Sequence, residues 1–207
     1  MTTFVLASCS QQPKAPAGPS PVGTEAPVIV PGGPGTPART ATPGERVGPT
    51  PSPTVAADVR FAERMIPHHR QALEMTSLVE ARTTNESIRA VARQIAAAQG
   101  PEIRAMTSWL AELGRTVPAG HGHEQGMAGY GMATQEELNA LRAARGGPFD
   151  RLFLQLMTRH HEGAVKMAGE QLAGGRDQRM RLLAKDVYAG QSLEIDRMRK
   201  LLASLRA

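Results

Sequence analysis

The chain has 207 residues, a net charge of +5, 3% aromatic residues and a single cysteine. One cysteine excludes an intramolecular disulfide and a cysteine-based zinc site, and no stretch reaches the roughly 18 to 20 apolar residues of a membrane-spanning helix. The Arg residues are spread among Asp and Glu along helical stretches, not gathered into a basic run, so nucleic acid is not an expected partner.

At the start, Leu6-Ala7-Ser8-Cys9 is similar to a bacterial lipobox and is followed by polar Ser10, Gln11 and Gln12. Residues 1–9 then read as a truncated signal with Cys9 as the lipidation site. The expected location is the cell envelope: an exported chain, lipid-anchored at the outer face of the cytoplasmic membrane and touching it through that anchor only. The stretch before Cys9 is too short for a charged flank and a full apolar signal region, and the alternative is an ordinary thiol in an unstructured tail. Residues 10–55 are crowded with Pro and Gly, as in Pro31-Gly32-Gly33-Pro34. They bury too little apolar surface to offset chain entropy, which predicts a disordered, semi-extended tether.

From residue 56 the composition favours helices packed by aliphatic and thioether side chains. Asp58, Phe61, Met65, His68, Ala72, Met75 and Val79 step by three and four, the rhythm of a helix-bundle seam. Ile88, Ala92, Ile95, Gln99, Glu102, Met106, Trp109 and Leu113 repeat it in a second helix, with a turn near Thr84-Asn85 whose residues suit caps and left-handed geometry. Pro67 and Pro101 lie inside these helices, which predicts kinks.

The linker, residues 115–148, carries His121, His123, Met127 and Met132 in a Gly-rich stretch that suits flexible capture of a metal, the alternative being a merely polar mobile loop. Thr134-Gln135-Glu136-Glu137 reads as a capping box that opens a short helix ending at Gly146-Gly147. The 92 residues that separate His68 from His160 also separate Asp58 from Asp150, Phe61 from Phe153, Met65 from Met157, Met75 from Met167, Glu102 from Glu194 and Met106 from Met198. The chain is therefore a duplication, copies 57–114 and 149–206, and the expected fold is an all-α, four-helix bundle of two helix hairpins over residues 56–206. The second hairpin turns near Gly174-Gly175, again with left-handed geometry expected.

Counting from each turn puts His68 level with Gln99 and Glu102, and His160 level with Gln191 and Glu194. Buried imidazole and carboxylate groups need a partner. Metal coordination is one answer, with Met65, His68, His69, Met75, Glu102, Met106, Met157, His160, His161, Met167, Glu194, Met198 and the linker residues as candidate ligands. The other is a metal-free network in which Glu102 and Glu194 accept hydrogen bonds from His68 and His160. His69, about 100° around the helix from His68, points toward the neighbouring helix or the bundle mouth. The pattern Met65-x-x-His68, repeated at Met157-x-x-His160, puts a thioether where di-iron bundles use a carboxylate, and thioethers select Cu(I).

These motifs, with Phe61 to Met75, Phe149 to Ala168 and Gly131-Met132, resemble the bacterial family known as domain of unknown function 305 over residues 56 to 206. The resemblance implies a duplicated ferritin-like bundle, an exported location and, in copper-handling members, metal binding by the His-His pairs and helix methionines. It implies no established reaction. The expected function is Cu(I) sequestration or transfer, with a metal-donor or metal-acceptor protein as the possible partner. The alternatives are a metal-free interaction bundle and a metal-dependent oxidoreductase. No nucleophile stands with a base at a convincing spacing, so no catalytic residue is assigned.

Overall fold

The computed structural model describes residues 28–31, 35–42, 45, 54–117 and 128–205. Cys9, His121, His123 and Met127 lie outside the described residues. Two compact units divide at Pro51 and Ser52.

In the first unit, β1 (Ile29–Val30) pairs antiparallel with β2 (Arg39–Thr40), Ile29 opposite Thr40 and Val30 opposite Arg39. Gly35 adopts a left-handed φ of 83° between them, a conformation that costs glycine little. The Arg39 guanidinium donates to Glu45 at 2.9 Å. The proline-rich composition gave no sign of this short ladder, whose signal is only the β-branched Val28-Ile29-Val30.

The second unit is all-helical: α1 (Ala56–Ser77), α2 (Val79–Arg82), α3 (Glu86–Glu112), a 3-10 turn (Ala128–Tyr130), α4 (Gln135–Ala143), α5 (Gly146–Gly174) and α6 (Gln178–Ser204). The hairpins α1/α3 and α5/α6 are the duplicated units, and α1 also packs on α5 and α3 on α6. Every residue of the predicted α1 stripe, from Asp58 to Val79, is buried. The helices run through Pro67 and Pro101.

The first helix breaks at Leu78, where a single helix was expected as far as the turn. The Leu78 N–H reaches back to the Met75 carbonyl. Just before it, the Thr76 and Ser77 hydroxyls donate to the carbonyls of Leu73 and Glu74 at 3.0 and 2.7 Å, competing locally with the helix ladder. Asn85 caps α3 through its side-chain oxygen, which accepts from the N–H groups of Ser87 and Ile88. Thr134 and Glu137 form the predicted capping box of α4. That helix stops at Ala143, short of the expected Gly146-Gly147, and Gly146, at φ 55°, opens α5.

Left-handed geometry at the two hairpin turns is not found. Among the described residues no non-glycine has positive φ, and Gly175 is extended at φ −78° and ψ 154°. Glycine is required there for space instead: a Cβ would overlap the Gln171 amide and the Asp58 carboxylate. That carboxylate is buried and accepts from Gln171 Nε2 at 2.5 Å, Arg176 N at 2.9 Å and Val55 N at 2.9 Å, tying the start of α1 to the α5–α6 turn.

The core falls into two apolar halves. One joins Ala72, Met75 and Ile88 to Ile95 with Phe149, Phe153, Met157 and Met198; the other joins Phe61, Met65, Met106 and Trp109 with Ala164, Met167, Met180 and Val187. Along each of α1, α3, α5 and α6 the sequence passes from one half to the other through a polar stretch: His68-His69, Gln99 to Glu102, His160-His161 and Gln191 to Glu194. A polar layer thus crosses the middle of the bundle. Among the described residues no helix is long and apolar enough to cross a membrane.

Candidate metal centre

Four imidazoles form that layer, each with no exposed surface. His68 and His160, equivalent in the duplication, stack with ring centres 3.6 Å apart and planes at 29°. His69 and His161 stand outside the stack, 6.4 and 6.3 Å from their chain neighbours, and each reaches across its own hairpin. His69 Nε2 lies 2.8 Å from the Glu102 carboxylate and His161 Nε2 lies 2.9 Å from Glu194. A carboxylate accepts, so these bonds place the ring proton on Nε2.

This corrects the pairing expected from the level count. Glu102 and Glu194 are at the right height but bond the outer histidines, not His68 and His160. Height follows from rise per residue, whereas the partner depends on rotation about each axis, and neighbouring residues differ by about 100°. His68 instead donates from Nε2 to the carbonyl oxygen of Tyr130 at 2.9 Å. Tyr130 was not singled out from the sequence, because a backbone acceptor leaves no residue-type signature.

Five ring nitrogens in the layer are buried without a hydrogen-bond partner: Nδ1 of His68, His69 and His161, and both nitrogens of His160. The side-chain amides of Gln99 and Gln191 are likewise unpartnered. Burial, reinforced by the adjacent His69, pushes His68 down to about 3, against the opposing pull of its bond to Tyr130. Burial and the neighbouring rings of His68, His161 and His69 hold His160 well below the usual histidine range. Both are neutral at neutral pH, and a neutral imidazole keeps the lone pair that a metal needs.

The methionines flank this layer in a symmetric pattern. Met65, Met106 and Met167 belong to one apolar half, and Met75, Met157 and Met198 are the equivalent trio of the other. Each trio draws on both copies of the repeat. All six are buried, and Met132 of the linker packs partly buried against the first trio's half. Among the described residues no three His, Cys, Asp or Glu groups converge on one point. The donors in and around the layer are four imidazoles, flanking thioethers and the two carboxylates already bonded to His69 and His161, and the imidazole and thioether groups suit a soft ion.

The sequence model of the family described as Domain of unknown function (DUF305) matches residues 58–202. No curated protein matches the chain. Among solved structures, a DUF305 fragment from Deinococcus radiodurans is 29% identical with a TM-score of 0.67, over 73% of this chain and 99% of that one. A DUF305 protein from Streptomyces coelicolor that carries a secreted-protein designation is 35% identical with a TM-score of 0.67, over 73% of this chain and 94% of that one. CopM in its Cu(II)-bound form is 33% identical with a TM-score of 0.63, over 71% of this chain and 96% of that one. CopM has also been solved in Cu(I)-bound and Ag-bound forms.

Proposed function

The chain belongs to the domain of unknown function 305 family, and from that premise we propose that it is an envelope protein that binds a soft metal ion, Cu(I) foremost, in order to sequester or transfer it. The carrying observation is the set of five buried, unpartnered imidazole nitrogens between two methionine trios. Leaving a buried polar atom without a partner costs about 1 to 3 kcal/mol, and a bound ion would offset that cost at several atoms together. The neutral state of His68 and His160 supports ligation without prior loss of a proton, and the metal-bound CopM structures support copper and silver as the class of ion.

In this reading His68, His69, His160, His161 and the six core methionines are the ligand pool. Glu102 and Glu194 join as ligands or as partners that orient His69 and His161. His121, His123, Met127 and Met132 pass the ion to or from a donor or acceptor protein. Cys9 carries the lipid that keeps the protein at the outer face of the cytoplasmic membrane. Complete burial of the four imidazoles favours binding over turnover, because a catalytic metal keeps a coordination position open to substrate.

The His69–Glu102 and His161–Glu194 bonds favour a second reading, a metal-free network that fixes helix register. Thermal unfolding of the full chain, stripped with chelator and then given anaerobic Cu(I), separates the two. An ion bound by the folded state alone, at one hundred times its Kd, adds about 2.7 kcal/mol, or about 5 to 10 °C for a chain of this size. An unchanged Tm at saturating Cu(I) would leave the metal-free network as the function of the layer.

A further inference from the structure

The two copies share the His-His pair but not its surroundings, and the difference comes from the linker, which occurs once. The 3-10 turn Ala128–Tyr130 packs on α5, and the strap Tyr130–Ala133 that follows is held at both ends. At one end the Tyr130 hydroxyl donates to Glu170 at 2.7 Å, Arg64 donates to that hydroxyl at 3.4 Å, and the Lys166 ammonium lies 4.9 Å from the ring centre. At the other, Gln71 and the Ala133 backbone exchange two hydrogen bonds of 2.7 and 2.9 Å. Space for the Tyr130 carbonyl comes from Gly163, where a Cβ would overlap the carbonyl oxygen. Gln71 and Gly163 occupy the same position of the repeat. One difference between the copies thus lets the strap grip α1 through a side chain and approach α5 through the lack of one.

The result is two unlike central imidazoles. His68 donates Nε2–H to a carbonyl oxygen, which can only accept, so its lone pair stays on the buried, unpartnered Nδ1. His160 is equally buried, and neither of its nitrogens makes a well-formed hydrogen bond; the His68 backbone acts on it only weakly, and the strap does not hold it. The rings lie face to face at 3.6 Å, so an ion held in the plane of one would not also be held in the plane of the other.

We infer that the duplicated motif forms two inequivalent soft-metal sites and that the Tyr130 strap makes His68, ligating through Nδ1, the first to fill. The inference rests on the soft-metal reading above. A ring N–H held by a carbonyl fixes tautomer and orientation and raises the basicity of the other nitrogen, and losing such a partner typically lowers metal affinity about 10- to 100-fold. The same gap is expected between the two sites. Binding at Nδ1 releases no proton, because that nitrogen carries only a lone pair.

The test is a titration of the full chain, with 15N-labelled histidine, by Ag(I) alone, following the side-chain nitrogens. The first equivalent should shift His68 Nδ1 while Nε2 keeps its proton, and His160 should respond only to the second. In Gly163→Ala, where the added methyl displaces the Tyr130 carbonyl, the two rings should respond together and the first-step affinity should fall about 10- to 100-fold. Gln71→Ala, which frees only the Ala133 end of the strap, should narrow the gap in the same direction. Simultaneous shifts of His68 and His160 in the unmodified protein, or His160 responding first, would overturn the inference and leave the soft-metal reading standing. No shift in any of the four core rings at saturating Ag(I) would overturn both.

Discussion

Acidifying the metal-free protein from pH 7 to pH 5 should weaken it measurably, through the two stacked histidines. His68 titrates near 3 in the folded state, because burial disfavours its charged form, and near 6.5 once unfolded. Between those values the unfolded chain binds the proton and the folded one does not, so the stability is fully present above about pH 6.5 and is lost as pH falls toward 3. Each unit within that window is worth about 1.4 kcal/mol per ring. The 1.5 units between 6.5 and 5 therefore cost about 2 kcal/mol at His68, and His160, depressed in the same direction, adds to the loss. Total stabilities are commonly 5 to 15 kcal/mol, so the effect is large enough to measure. Urea unfolding of chelator-treated protein at the two pH values measures it, and the double variant His68→Gln, His160→Gln isolates the two rings. The variant should lose about 2 kcal/mol less than the unmodified chain, or better. Equal losses in the two proteins would refute the claim that these rings are buried and neutral.

Two further perturbations probe the frame that holds the layer. Asp58→Ala should cost about 3 kcal/mol in urea unfolding, since it strands the Gln171 amide and the Arg176 N–H. Its repeat counterpart Asp150→Ala should cost less than half as much, because one Asp150 carboxylate oxygen already lacks a partner. Asn85→Ala should cost about 1 kcal/mol by removing the α3 cap, read in the same assay.

The bundle was legible because its information is local and doubled. Positions three and four apart declared the helices, and a constant 92-residue shift declared the duplication, so the buried stripe of α1, that of α3 except for half-buried Glu102 and exposed Leu113, and the level of Gln99, Glu102, Gln191 and Glu194 followed directly. Rotation about each helix axis was not encoded in that rhythm. The sequence therefore placed Glu102 at the height of the histidines but could not assign it to His69 over His68. The break at Leu78 follows back-bonded hydroxyls at Thr76 and Ser77, but such bonds at Ser192 and Ser204 lie within the unbroken α6, so the pattern is no signal by itself. Gly175 looked like a turn glycine, yet its role is to leave room for Asp58 and Gln171 across the bundle. Least legible was the Tyr130 carbonyl, a backbone atom delivered by the linker. Its trace in the sequence is the difference between Gln71 and Gly163, one of many positions at which the two copies diverge around the shared seam residues.

The central claim, that the polar layer is a soft-metal site, is tested most directly by a competitive Cu(I) titration of the full chain against a chromophoric chelator, beside the double variant His68→Ala, His160→Ala. The unmodified protein should withdraw Cu(I) from the chelator, and the variant should lose most of that capacity. Equal competition by both proteins would place the copper outside the layer, and no competition by either would mean that the layer holds no soft metal.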